Sequence, residues 1–193
     1  GSVFVGGAVV QWLRDGLKII SASEDSEAQA LKVKDSGGVY VVPAFTGLGA
    51  PYWDAAARGT ITGITRGTLR EHIVRAALEG IAYEVCDLVA AMDKDAGIKI
   101  NSLAVDGGAC KNGFLMQFQS DVLNCKVIRP KVAETTALGA AYLAGLNAGY
   151  WRGLEEIKKN AEAEKVFAPK MEEEERQTLL NGWRAALRQT LAK

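Results

Sequence analysis

Val105-Asp106-Gly107-Gly108-Ala109-Cys110-Lys111-Asn112-Gly113 is the segment around which the chain organises itself. Before it, Leu103-Ala104-Val105 is apolar and reads as a strand. After it, Phe114, Met116, Phe118 and Val122 carry helical spacing. A strand that ends on Asp-Gly-Gly and turns into a helix is the junction of an α/β unit. Glycines at such a bend carry no Cβ, so a ligand can come close to the backbone. The helix beyond offers unpaired amides and a positive dipole end, which suit an anion. Asn112 adds an amide that donates and accepts, as the edge of a base requires. The segment is neither GxGxxG nor GxxxxGK[ST]. Its competing reading is a tight strand-to-helix turn that needs glycine for shape alone. Asp106 could orient a ligand or cap the turn through its side chain.

Working upstream, residues 39–42 (Val-Tyr-Val-Val) read as a strand closed by Pro43, and residues 60–65 as a second strand. The loop between them carries Tyr52 and Trp53, both expected to pack against the body. Thr68 with Glu71 predicts a capping box. It would start a helix reaching about Lys94, with Val74, Leu78, Ile81, Val85, Leu88 and Met92 on one face. Glu79 within it has Arg66 or Arg75 as a partner, and His72 reads as a surface or packing residue. A short helix through Ala28, Leu31 and Lys32 ends at Gly37-Gly38. Gly6-Gly7 introduce helical spacing at Val9, Trp12, Leu13, Leu17 and Ile20. Gln11 falls one turn in, either on a ligand or as an exposed residue of a glycine-initiated helix.

Downstream, Val127-Ile128 is a strand stopped by Pro130. Thr135 or Thr136 caps a helix over 137–146, whose Ala and Gly residues suit close packing. Residues 154–192 read as helical, with Leu180, Trp183, Leu187 and Leu191 as an apolar stripe and Glu172–Glu175 as a solvated first turn. Strands alternate with helices through the middle, so the fold class is α/β.

Composition narrows the function. The 193 residues carry 23 Lys plus Arg against 23 Asp plus Glu, so no basic face points to nucleic acid. Cys86, Cys110 and Cys125 are odd in number and contain no CxxC, which reads as reduced thiols in a cytoplasmic protein. With His72 as the one histidine, a zinc site is not expected, nor is a Ser/His/Asp triad. No apolar run is long enough to span a bilayer, and residues 1–5 do not read as a signal peptide.

Longer blocks carry a resemblance. Gly59-Thr60-Ile61-Thr62-Gly63-Ile64 and the run through His72-Ile73-Val74-Arg75-Ala76-Ala77-Leu78-Glu79 are similar to the second signature of the FGGY carbohydrate kinases. Pro43-Ala44-Phe45-Thr46-Gly47-Leu48-Gly49-Ala50-Pro51-Tyr52-Trp53-Asp54 resembles the glycerol-kinase branch of that family. So do residues 114–121 and 134–145, and the likeness runs from residue 1 to about 183. It implies an RNase H-like domain of the actin, Hsp70 and sugar-kinase type, with a mixed sheet flanked by helices. Residues 1–193 would be the C-terminal kinase domain, its first strands lying before residue 1, with 154–192 as a helical extension.

The resemblance also implies transfer of the ATP γ-phosphate to glycerol, giving sn-glycerol 3-phosphate and ADP, with Mg2+. Gly108 and Asn112 match the family's nucleotide contacts, and Gly7 with Gln11 match those on the facing wall. The catalytic base, the glycerol pocket and the phosphate loops match nothing in this chain, so an N-terminal lobe is the expected partner and no catalytic residue is expected here. The chain alone is then expected to be inactive, with at best weak affinity for ADP or ATP. A homo-oligomer is expected, and an uncovered sheet edge that invites self-association. Some bacterial relatives dock a phosphotransferase regulator at the segment matching 169–176. Lys170-Met171-Glu172-Glu173-Glu174-Glu175 departs from that pattern, so this regulation is not expected. Two other readings stand beside this one: a kinase for another polyol or a pentulose, and a non-catalytic actin-like module that binds nucleotide.

Overall fold

The computed structural model describes residues 3–132, 134–158 and 162–191. In chain order the elements are α1 (Ala8–Gln11), α2 (Asp25–Ala30), β1 (Tyr40–Val42), β2 (Thr60–Thr62), α3 (Arg70–Ala96) and β3 (Ser102–Ala104). A 3-10 turn (Gly108–Lys111) leads into α4 (Gly113–Leu123). There follow β4 (Lys126–Pro130), α5 (Thr135–Asn147), α6 (Leu154–Lys158), β5 (Ala163–Phe167) and α7 (Glu173–Leu191).

The strands form two sheets. β1 and β2 pair antiparallel, Val41 opposite Ile61. The other sheet is mixed: β3 runs parallel to β4 with Leu103 opposite Val127, and β5 runs antiparallel to β4 with Phe167 opposite Val127. α3 packs on β1 and on α4, and α4 in turn packs on β4 and β5. From Val74 to Tyr83 every residue except Arg75 is buried, so this stretch is enclosed rather than amphipathic. Gly80 makes the enclosure possible, because a Cβ there would sit 2.2 Å from the Val41 carbonyl oxygen. Further along, Val85 is half-buried and Met92 is exposed, so the predicted apolar face outruns the core.

Several expectations need correction. The α3 start is not a Thr68/Glu71 box. Thr68 Oγ1 accepts from Thr65 N–H (2.9 Å) in the preceding turn, and His72 Nδ1 accepts from Leu69 N–H (2.9 Å) to cap the helix. The first helix winds into a wider turn over Trp12–Gly16, where Leu17 N–H reaches Trp12 O (2.9 Å), and it stops there. Leu17 is therefore exposed, while Ile20 is buried from a loop. Tyr52 packs as expected, but Trp53, at φ 50°, turns outward and is 75% exposed.

The 154–192 segment is not wholly helical. Residues 163–167 are the strand β5, held by ladder bonds to β4 and by Phe167 in the core. Its other four residues are exposed, so no apolar alternation marked it. In α7, Leu180, Trp183, Ala186 and Leu187 are buried. Trp183 stacks on Tyr83 at 5.1 Å, and its Nε1 donates to Asp87 Oδ2 (2.6 Å), which also accepts from the Tyr52 hydroxyl (2.8 Å). The small-residue helix α5 carries no buried residue, against the expectation that it packs closely. Its start is tied by the Thr135 hydroxyl to Asp106 Oδ2, and Trp151 lies over Gly145 and Tyr142 near its end.

Candidate nucleotide cleft

The start of α1 and the segment leading into α2 face the turn that joins β3 to α4. Between them opens a cleft of about 750 Å³, within the range of small-molecule and cofactor sites. Gly7 and Gln11 lie on one wall and Gly108 and Asn112 on the other, so all four residues singled out from the sequence meet there. Ala8 and Ala109 give it apolar surface, Leu78 of α3 and Leu115 of α4 lie buried behind it, and Ser23, Glu24, Glu27, Asp106 and Lys111 add polar groups.

The glycines of the cleft do different jobs. Gly107 has φ 78° and ψ 178°, a conformation that side chains resist. Gly7 is ordinary right-handed helical backbone at φ −55°. A Cβ at Gly7 or at Gly108 would meet no protein atom within 4 Å. At those two positions glycine keeps the wall low without being needed for the fold. The 3-10 turn opens with Cys110 N–H donating to Gly107 O (3.3 Å) and closes with Asn112 N–H donating to Ala109 O (3.2 Å). The amides of Gly108 and Ala109 precede the bonded part of that turn.

Asn112 is engaged at both ends of its amide. Oδ1 accepts from Leu115 N–H (2.8 Å), which makes it the N-cap of α4, and Nδ2 donates to Ser26 Oγ (3.2 Å). Gly113 N–H donates to Glu27 Oε2 (3.0 Å). A carboxylate thus already answers the positive end of α4, which corrects the expectation that this helix start is open to an anion. The amides left for one belong to the preceding Gly108-Ala109 turn. Asp106 is engaged with Thr135 rather than with its own turn.

On α3, Arg75 Nε donates to Glu79 Oε1 (2.8 Å), its Nη1 donates to Val33 O (2.9 Å), and its guanidinium lies 4.8 Å over the Phe114 ring. Of the two arginines offered by the sequence, Arg75 is the partner of Glu79. Glu79 is 2% exposed, with Arg75 on Oε1 and Ser36 beside the carboxyl. Burial pushes its carboxyl up to about 7, against the opposing pull of Arg75. Ser26 and Glu27 escaped the sequence reading. Each acts across 86 residues, on Asn112 and Gly113, and nothing local in a polar segment signals that.

A profile of the FGGY family of carbohydrate kinases, C-terminal domain, matches residues 1–148. The chain belongs to the FGGY carbohydrate kinases. Glycerol kinases of Clostridium botulinum and Petrotoga mobilis are 57% and 62% identical to this FGGY domain over 187 residues, 97% of the chain. The chain spans 38% of the length of those curated relatives. Among solved structures, Plasmodium falciparum glycerol kinase with ADP superposes at a TM-score of 0.92 and 39% identity, covering 100% of this chain and 38% of its own. Ligand-bound xylulose kinase from Lactobacillus acidophilus follows at 0.81 and 29%, covering 98% of this chain and 39% of its own. The FGGY domain therefore has the ATPase fold of actin, Hsp70 and the sugar kinases, as expected from the sequence.

Proposed function

We propose that this chain is the nucleotide-binding lobe of a glycerol kinase, with Gly7, Gln11, Gly108 and Asn112 as its nucleotide contacts. One observation carries the reading: four residues matched to nucleotide contacts line a single cleft, where two of the glycines hold back side chains that the fold would accept. The high identity to glycerol kinases and the likeness to one solved with ADP support it.

In this reading the low walls let the nucleotide approach the backbone, and the Gly108 and Ala109 amides face its anionic part. Ala8 and Ala109 offer apolar surface for the base, and Gln11 and the second N–H of Asn112 supply polar contacts. Asn112 also holds the site's shape, because it caps α4. Among the described residues no three His, Cys, Asp or Glu side chains group as a metal cage. Magnesium would accompany the phosphates and draw its remaining ligands from elsewhere in the kinase.

The full enzyme would transfer the γ-phosphate to glycerol, giving sn-glycerol 3-phosphate. The N-terminal lobe would supply the glycerol pocket and the base, and residues 1–193 would form one domain extended by 154–192. We place it in the cytoplasm as a homo-oligomer. Among the described residues no helix is long and apolar enough to cross a membrane.

Calorimetric titration with ADP and magnesium tests the reading. The parent chain should bind weakly and turn over no glycerol. Gly108→Val should lose binding while its circular dichroism and melting temperature stay near the parent's, because a Cβ there has open space, with no protein atom within 4 Å. Unchanged ADP affinity in a folded Gly108→Val chain would refute the site.

A further inference from the structure

Arg129 of β4 does not line the cleft, yet it holds the turn that does. Its Nη1 donates to Cys110 O (3.1 Å) and to Lys111 O (3.2 Å), the carbonyls of the last two residues of the 3-10 turn. Its Nη2 donates to Glu164 Oε1 (3.2 Å) on β5, and Nε lies 3.0 Å from Glu164 Oε2, at too bent an angle for a hydrogen bond. The guanidinium carbon sits 5.6 Å over the Phe167 ring, and the side chain is 14% exposed.

Such a contact has mechanical content. A turn containing Gly107 at φ 78° and Gly108 has little stiffness of its own. It needs fixing from outside to present one shape. Its front is tied through Asp106 to Thr135, and its end through Asn112 to Ser26. Arg129 reaches it from the sheet, 18 and 19 residues away in sequence. A guanidinium is planar with donors at preset angles, so a carboxylate and a ring that lock its plane also set where the two carbonyls lie. No ammonium could transmit position in this way.

We propose that Arg129, oriented by Glu164 and Phe167, is a positioning residue for nucleotide binding: it sets the Gly108-Ala109 amides by gripping the two carbonyls that follow them. This deepens the nucleotide reading and rests on it.

The test measures two quantities on the 193-residue chain: the ADP dissociation constant with magnesium, and amide hydrogen exchange of residues 107–112 without ligand. Arg129→Ala should weaken ADP roughly tenfold, the scale on which outer partners tune metal ligands they orient. It should also speed exchange of the turn, while exchange in α3 stays as in the parent. Arg129→Lys, which keeps the charge and loses the fork, should fall between. Glu164→Ala should reproduce part of the loss without touching the turn, and it carries the test if Arg129→Ala fails to fold. An Arg129→Ala chain with the parent's affinity and the parent's turn exchange would overturn the proposal. So would a loss of affinity with no faster exchange confined to the turn, since that describes a general structural role. If the parent binds no ADP, the nucleotide reading falls and positioning of a nucleotide falls with it; the exchange rates then decide alone whether Arg129 grips the turn.

Discussion

A methyl group on Gly80 should destabilise the protein, although alanine is the better helix former. Gly80 lies in the buried middle of α3, and its added Cβ would stand 2.2 Å from the Val41 carbonyl oxygen and 3.6 Å from Pro43 Cδ. An ordinary contact to that oxygen is a little over an ångström longer. The obstacle is backbone of β1, paired to β2 on its far edge, so it cannot swing aside as a side chain would. Gly→Ala in a helix interior gains about 1 kcal/mol. Forcing extra volume into a packed interior typically costs about 1–3 kcal/mol, and a carbonyl in the way puts this site at or above the upper end. The expected net loss is roughly 2 kcal/mol. For a domain of this size that is a fall of about 4–8 °C in melting temperature. Thermal and urea unfolding followed by circular dichroism would measure it. A Gly80→Ala chain as stable as the parent, or more so, would mean that α3 and β1 are not in the close contact described, and the account of the core would fail. Gly108→Val adds more carbon than Gly80→Ala, so the two variants separate glycine kept for packing from glycine kept for a ligand.

Two further expectations concern pH and association. Burial and the neighbouring Asp87 push the Glu84 carboxyl up to about 8, and burial pushes Glu79 to about 7, from an ordinary value of about 4.5. The folded chain then holds protons that the unfolded chain releases, so what these two groups contribute to stability is full below about pH 4.5 and is lost as pH rises toward 8, by on the order of a few kcal/mol. Melting should be higher at pH 6 than at pH 8.5, with Glu84→Gln flattening the slope; a parent that melts higher at pH 8.5 contradicts this. The other expectation is that the chain self-associates, because α5 carries no buried residue and Leu143 on it is 70% exposed. Sedimentation velocity should show a weight-average mass that rises with concentration, and a strictly monomeric boundary at high concentration would count against it.

Much of the frame was legible because its signals are local. The strand before Asp106, the strand at 40–42, the helix through Phe114 and Val122 and the strand stopped at Pro130 all follow from short-range pattern and breakers. The misreadings share a different cause. β5 is a strand only because β4 offers it a ladder, and its exposed charged residues carry no period of their own. His72 displaced the Thr68/Glu71 box because the helix starts one residue later, with Leu69 as its N-cap, and the ring nitrogen three residues on accepts from the Leu69 amide. Trp53 and α5 looked like packing residues by composition, which reports what a surface could cover and not whether anything covers it. In the cleft, Gly7, Gln11, Gly108 and Asn112 were legible as a motif. The tie of Ser26 and Glu27 to the other wall was not, since it exists only once residues 86 apart in sequence have met.

The stacking of Trp183 on Tyr83 has a bearing on how this molecule comes into being. The family profile stops at residue 148, yet the indole that closes the centre of α3 is supplied 35 residues later and is fully buried. During synthesis, α3 must wait with one side bare until α7 has emerged from the ribosome. Nascent chains that stop short of α7 would therefore be the ones that chaperones bind and proteases cut. The boundary that sequence kinship draws and the boundary at which α3 is covered lie in different places.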